Sequence, residues 1–371
     1  MLSCSSGNKE SSEQIPTRNI DEFTTYKLEE VANSGKWSDL ISEIEITRLE
    51  ETDETLLSYV FNLHHLGDKV VFTSGDENDI YTFSRTGEFI QKFNKKGGGP
   101  EEYENITDLW IEGDNVAIYS RGKFIKRYTL KGDFVSTEKL THQAGHILKY
   151  TEGYALDMFF SAIDDSLFYN VATLNPQLER TGLLQKSKPP SGFNIFTSNS
   201  TLTDYKSTFL YHRIMSDTVF IKNENEMTPL IHFDLGSEWF WNTNDGKAEL
   251  LDKMFNSESV WNLSTKISPQ YAYVLGFAGK GEGRNYLIDR IANKSFEIFN
   301  SSNEEEKYSL RVSKITDNGI IGSMSSLEVA NLLAELEDNQ WSFTEGTTLA
   351  EIESSENPVL IKVKLKESSD W

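Results

Sequence analysis

GDKVVFTS at residues 67–74 returns forty-six residues later as GDNVAIYS at 113–120. The flanks return with it: IYTFSRTGEF (80–89) is echoed by IKRYTLKGDF (125–134), and more faintly by VATLNPQL (171–178). Within each unit, short alternating apolar runs are broken by turn formers such as Gly67-Asp68, Thr86-Gly87 and Lys131-Gly132. Alternation at period two marks a strand with one face buried, and Gly and Asp supply the backbone angles of tight turns. A unit of about 45 residues with about four strands has the size of a propeller blade rather than of a helical solenoid repeat.

Unit one places strands at 59–66, 69–74, 79–85 and 88–93, and unit two at 105–111, 115–120, 124–130 and 133–140. Later units are more degenerate. A fourth includes 207–214, 217–223 and 228–235; a fifth, 260–267, 271–278, 285–291 and 295–299; a sixth, 308–315, 319–325 and 358–365. The sixth lacks an outer strand, while ISEIEITRL (41–49) precedes the first unit without a partner of its own. A closed ring leaves no free edge at its seam, so 41–49 is expected to complete blade six. The expected fold class is all-β: a six-bladed β-propeller closed by an N-terminal strand, with one or two short inserted helices. The helix candidates are 326–338, apolar at one-face spacing with Ser326 as its cap, and 246–256. Residues 41–371 are expected to form this single domain, and 1–40 an N-terminus and flexible tether.

The whole-chain numbers agree with a folded, acidic body. The 371 residues carry 22 Phe, 15 Tyr and 7 Trp, which a disordered chain would lack, and a net charge of −22. Such a surface repels phosphate backbones and anionic membranes, so nucleic-acid binding is set aside. A single cysteine, Cys4, excludes an internal disulfide and any multi-cysteine metal site. No run of 18 apolar residues occurs, so a membrane would be met only through an anchor. The context MLSCSSGN resembles the end of a bacterial lipoprotein signal, with Ser3 before a cysteine that would be lipidated and a Ser/Asn/Glu-rich tether after it. The charged and apolar regions of such a signal are not in the sequence.

Between units one and two lies GGGPEEY (97–103). A phosphate-binding loop needs GxxxxGK[ST] between strand and helix, and a nucleophile elbow needs GxSxG; neither pattern is present. A bare anion nest would be opposed by Glu101, Glu102 and Glu104. The stretch is read as a corner between strands, its glycines permitting close approach and Pro100 stiffening the turn. With its GxGPxEY-like spacing, it is similar to the six-bladed β-propeller lipoproteins abundant in Bacteroidetes, relatives of NHL-repeat propellers. SDTVFIKNENEMTPLIHFDLG (216–236) and NPVLIKVKLK (357–366) resemble the fourth-blade and C-terminal signatures of that family. Glu101 stands where the family has glycine. The resemblance implies an envelope protein on a lipid anchor, periplasmic or surface-exposed; it implies no settled activity and supplies no catalytic residues to carry over.

In an up-and-down blade, the connections from second to third strand and from one blade to the next share one face. That face collects GGGPEEY, 76–79, 120–123, 141–146, 163–166 and 215–217, the longer and chemically richer loops, and concave ligand sites favour such convergence. Candidate binding residues there are Tyr103, Arg121, Lys123, His142, His146, Asp76 and Asp79. Arg121 and Lys123 form a compact basic pair suited to a carboxylate. His142 and His146 lie in a loop with no evident third ligand, and the Asp76, Glu77, Asp79 group lacks calcium-loop spacing, so neither metal nor cofactor is expected. Trp37, Trp239, Trp241 and Trp261 are candidates for sugar stacking or for packing between blades. The leading expectation is a non-enzymatic module binding an envelope protein or a glycan. The alternatives are a glycan hydrolase or lyase using paired carboxylates and a structural subunit of an envelope assembly.

Overall fold

In a computed structural model, the described residues are 19–75, 78–159, 161–164, 167–187, 199–242, 250–281, 283–299 and 307–371. Cys4, Asp76 and Glu77 lie outside them, as does the first part of the 246–256 helix candidate.

Six antiparallel sheets form the blades of a β-propeller. Blade one consists of Phe61–Leu66, Lys69–Ser74, Asp79–Ser84 and Phe89–Phe93 from the inside outward. Blade two consists of Asp108–Glu112, Asn115–Ser120, Phe124–Thr129 and Phe134–Lys139. Blade three is His146–Tyr150, Gly153–Asp157, Leu167–Leu174 and Arg180–Ser187, and blade four Leu202–Tyr205, Thr208–His212, Thr218–Asn223 and Glu226–Asp234. Blade five is Val260–Ile267, Tyr271–Ala278, Arg284–Asp289 and Lys294–Ile298. The second strands are the most apolar, because both of their faces meet a neighbouring blade; Lys69–Ser74 and Asn115–Ser120 are buried at every position after the first.

The ring closes as the unpaired N-terminal run requires. Blade six is Arg311–Thr316, Gly319–Met324, Val359–Leu365 and then Ile41–Arg48, with Ile44 opposite Val363 and Ile46 opposite Ile361. Ile41, Ile44 and Ile46 are buried, and each such side chain contributes roughly 1.5–3 kcal/mol of burial. Six hydrophobic clusters hold the ring, one at each contact between neighbouring blades.

The expected boundary at residue 41 is corrected. Thr24–Lys27 pairs in parallel with the outer strand of blade four, Asn33–Gly35 with that of blade five, and Trp341–Phe343 with the closing strand of blade six. Tyr26, Leu28, Trp37 and Leu40 are buried in the body, so residues 24–40 are folded edge cover rather than tether. Covering an outer strand satisfies its unpaired backbone groups. The chain enters on the short-turn face. Arg290, only 2% exposed, donates to the Tyr205 hydroxyl (2.9 Å), the Ser268 carbonyl (2.7 Å) and the Ile20 carbonyl (2.8 Å). Beside it Lys206 pairs with Asp21 at 2.6 Å.

The helix expected at 326–338 sits in the predicted insertion of blade six, but it is shorter: a 3-10 turn at Ser326–Glu328 and a helix at Val329–Leu333. The expected cap does not form, because the Ser326 hydroxyl donates to the Ser355 carbonyl. Beyond Leu333 the chain tightens, and Glu335 is drawn to Lys36, Ser38 and Tyr308. A second helix in this insertion, Leu349–Glu353, is closed by a capping box between Thr348 and Glu351, and Leu250–Phe255 is the described part of the other candidate. No helix among the described residues is long and apolar enough to cross a membrane.

Candidate functional site

The strand directions divide the molecule into a short-turn face and a long-loop face. The short-turn face carries turns such as 67–68, 113–114 and 131–132, whereas the long-loop face carries 94–107, 140–145, 235–259 and the blade-six insertion. GGGPEEY is the corner from blade one to blade two, and its atoms explain its composition. None of its three glycines has a positive φ. Gly97 lets the Glu102 carboxylate close over the loop: a Cβ there would lie 2.0 Å from one of its oxygens. That carboxylate accepts the Gly99 N–H at 2.8 Å, so the loop supplies its own anion. The Lys126 ammonium caps the Pro100 carbonyl at 2.6 Å, and the Tyr128 hydroxyl caps that of Glu101 at 2.7 Å.

Tyr103 is corrected as a ligand contact. It is 0% exposed, in the core between blades one and two. Its hydroxyl donates to the Asn78 carbonyl (2.6 Å) and accepts the Lys95 N–H (3.0 Å), which pins the corner from inside. His146 is also buried, with Nδ1 3.0 Å from Asp108, whose other oxygen accepts the Ile147 N–H. His142 is elsewhere, 3.4 Å from Arg180; burial, Arg180 and Lys123 lower its pKa. The two histidines thus lie beside different groups, Asp108 and Arg180. Arg121 is exposed but neutralised by Glu104 at 2.7 Å, and Lys123 is half-buried near His142. Asp79 accepts from the Asn94 amide and, at 3.3 Å, from the Tyr81 hydroxyl.

The candidate tryptophans are engaged in packing. Trp37 and Trp239 are buried, Trp241 donates to the Trp261 carbonyl at 2.7 Å, and Trp261 meets Phe255 and Phe277. Burial raises the Asp157 carboxyl pKa, but this group is enclosed and accepts from Thr201 and the Phe159 N–H rather than opening on a cleft.

Sequence reasoning missed an exposed aromatic and arginine cluster, which lies at the channel mouth where blade six meets blade one. Tyr59 is 55% exposed and Leu56 62%. The Arg311 guanidinium, at the head of the inner strand of blade six, lies 4.7 Å from the Tyr59 ring centroid and 4.9 Å from that of Phe61. The two rings meet edge to face at 6.2 Å. Below them, a bulge between Val312 and Lys314 brings Lys314 to the Arg311 side of the strand. Across the inner strands stand His64, which desolvation pulls down to about 4, and Asp204, whose pKa burial raises; Lys314 acts on both.

A family model described as a domain of unknown function, DUF4934, matches residues 23–364. No curated protein matches the chain. Among solved structures, it is similar to a "putative exported protein" from Bacteroides fragilis. That likeness has 15% identity and a TM-score of 0.68 and covers 93% of this chain and 100% of that one. It also matches a member of the DUF4221 family from Bacteroides vulgatus, with 10% identity, a TM-score of 0.49 and coverage of 88% and 98%. The first likeness is one of fold.

Proposed function

The chain belongs to the DUF4934 family, and we propose that it is a non-enzymatic binding module of the bacterial envelope, attached by a lipid on Cys4. Its partner is an envelope protein or a glycan, taken up on the long-loop face. The observation that carries this reading is the mouth cluster: two aromatic rings and an arginine held between them at the centre of the face, with Tyr59 largely uncovered. Exposed aromatic and arginine groups are the residue types that dominate recognition energies. The envelope placement rests on the sequence around Cys4 and on the description of the Bacteroides fragilis protein as exported.

The test is retention of envelope components on the immobilised chain carrying Cys4→Ser, beside the same chain with Tyr59→Ala and Arg311→Ala. A partner held by the first and released by the second supports the reading. A partner held by both moves the site off the mouth. Glycans that emerge shortened would replace the module with an enzyme. Lipid attachment is tested separately, by incorporation of a labelled fatty acid that Cys4→Ser abolishes.

A further inference from the structure

We propose that the channel mouth recognises a carboxylate-bearing sugar, with the pyranose ring on Tyr59 and the carboxylate on Arg311. This rests on the binding-module reading and names its ligand class.

In a chain of net charge −22, acids are abundant and several arginines are held by them. Arg121 meets Glu104, Arg127 meets Glu112 and Glu138, and Arg284 meets Glu238 and Glu297. Arg311 is exposed, and among the described residues its guanidinium has the two rings as neighbours but no carboxylate within pairing distance. Stacking holds the planar fork, and no acceptor among the described residues takes its N–H donors. Guanidinium groups bind carboxylates through two parallel hydrogen bonds, and stacking on a ring leaves that edge available.

Tyr59 shares a face with Arg311 yet keeps more than half of its surface open at 55%. An acidic side chain of a protein would need the arginine alone. A pyranose has an apolar C–H face as well as its acid, so it uses the ring and the cation together. Lys314, set deeper on the same side by the bulge, adds positive charge beside Asp204 and His64. An acid that meets Arg311 at the mouth leaves the rest of its chain outside.

The test measures binding by the full chain carrying Cys4→Ser to oligogalacturonate and oligoglucuronate. Matched neutral oligosaccharides and poly-glutamate are run alongside. The expected result is uronate binding that exceeds neutral-sugar binding by about tenfold or more, the worth of a charge-assisted pair. Arg311→Lys should lose most of that preference while keeping the urea midpoint, since the site is exposed. Tyr59→Ala should weaken uronate and neutral sugar alike. Equal binding of uronate and neutral sugar would overturn the inference, as would equal binding of poly-glutamate or no uronate binding at millimolar concentration. An envelope partner still retained through Arg311 in the retention experiment would then leave the module reading standing and replace only its ligand class.

Discussion

Replacing Ile46 by alanine tests whether the N-terminal strand closes the ring. Ile46 is 0% exposed and sits opposite Ile361 on one side and Phe343 on the other. With paired strands on both flanks, the backbone has little room to collapse into the space left by the lost side chain. Buried Ile→Ala changes cost about 2–5 kcal/mol, and a site that cannot relax belongs near the upper end, at about 4 kcal/mol. With a urea dependence of about 3 kcal/mol per molar, the unfolding midpoint should fall by more than about 1 M. The assay is tryptophan fluorescence across a urea series, with Glu45→Ala as the control. Glu45 is the exposed neighbour on the same strand, and its replacement should stay within about 0.5 kcal/mol. If Ile46→Ala matched Glu45→Ala, residues 41–48 would not be a packed strand of blade six and the closure argument would fail.

Tyr103→Phe should lower stability by about 1–2 kcal/mol, because it removes the hydroxyl that bonds the Asn78 carbonyl and the Lys95 N–H; an unchanged urea midpoint would refute the pinned corner. Gly319→Ala should be far more damaging than Gly97→Ala. The former has φ +126° and a backbone oxygen 2.0 Å from the added carbon, whereas the latter meets only the movable end of Glu102; thermal unfolding of the pair decides. Acid should weaken the fold in two stages. Desolvation lowers the pKa of both His64 and His212 to about 4 from an ordinary 6.5, so the unfolded chain binds protons first, and stability present above 6.5 is lost as the pH falls towards 4. Burial opposes ionisation of Glu112, but Arg127, Trp110 and Lys149 outweigh it and hold the pKa at about 2; its contribution, present above 4.5, is lost as the pH falls towards 2. Urea midpoints from pH 7 to 2 would show both stages, and His64→Gln should shrink the first.

The blades were legible because each strand states its own period. GDKVVFTS alternates locally, and the missing outer strand of blade six left a vacancy that only 41–49 could fill. The edge strands were not legible: TTYK and NSG are short and polar, and they are strands only because an outer strand lies beside them. Tyr103 reads as a loop residue, and nothing local says that its hydroxyl turns inward to the Asn78 carbonyl. The mouth cluster was hidden by distance along the chain. Tyr59 and Arg311 begin the first and the last blade, and they meet only because the ring closes. Arg121 and Lys123, two residues apart in sequence, looked more like a site than this pair did.

The path of the chain before the closing strand also sets how the molecule answers a pull. Tension applied upstream of Asn19 is borne first by the Arg290 bond to the Ile20 carbonyl and the Lys206–Asp21 pair. Next come the edge strands Thr24–Lys27 and Asn33–Gly35, held on blades four and five. Only after both have peeled away does load reach Ile41–Arg48, whose removal would open the ring. The short edge strands thus act as successive mechanical fuses, and the opening of the ring comes last.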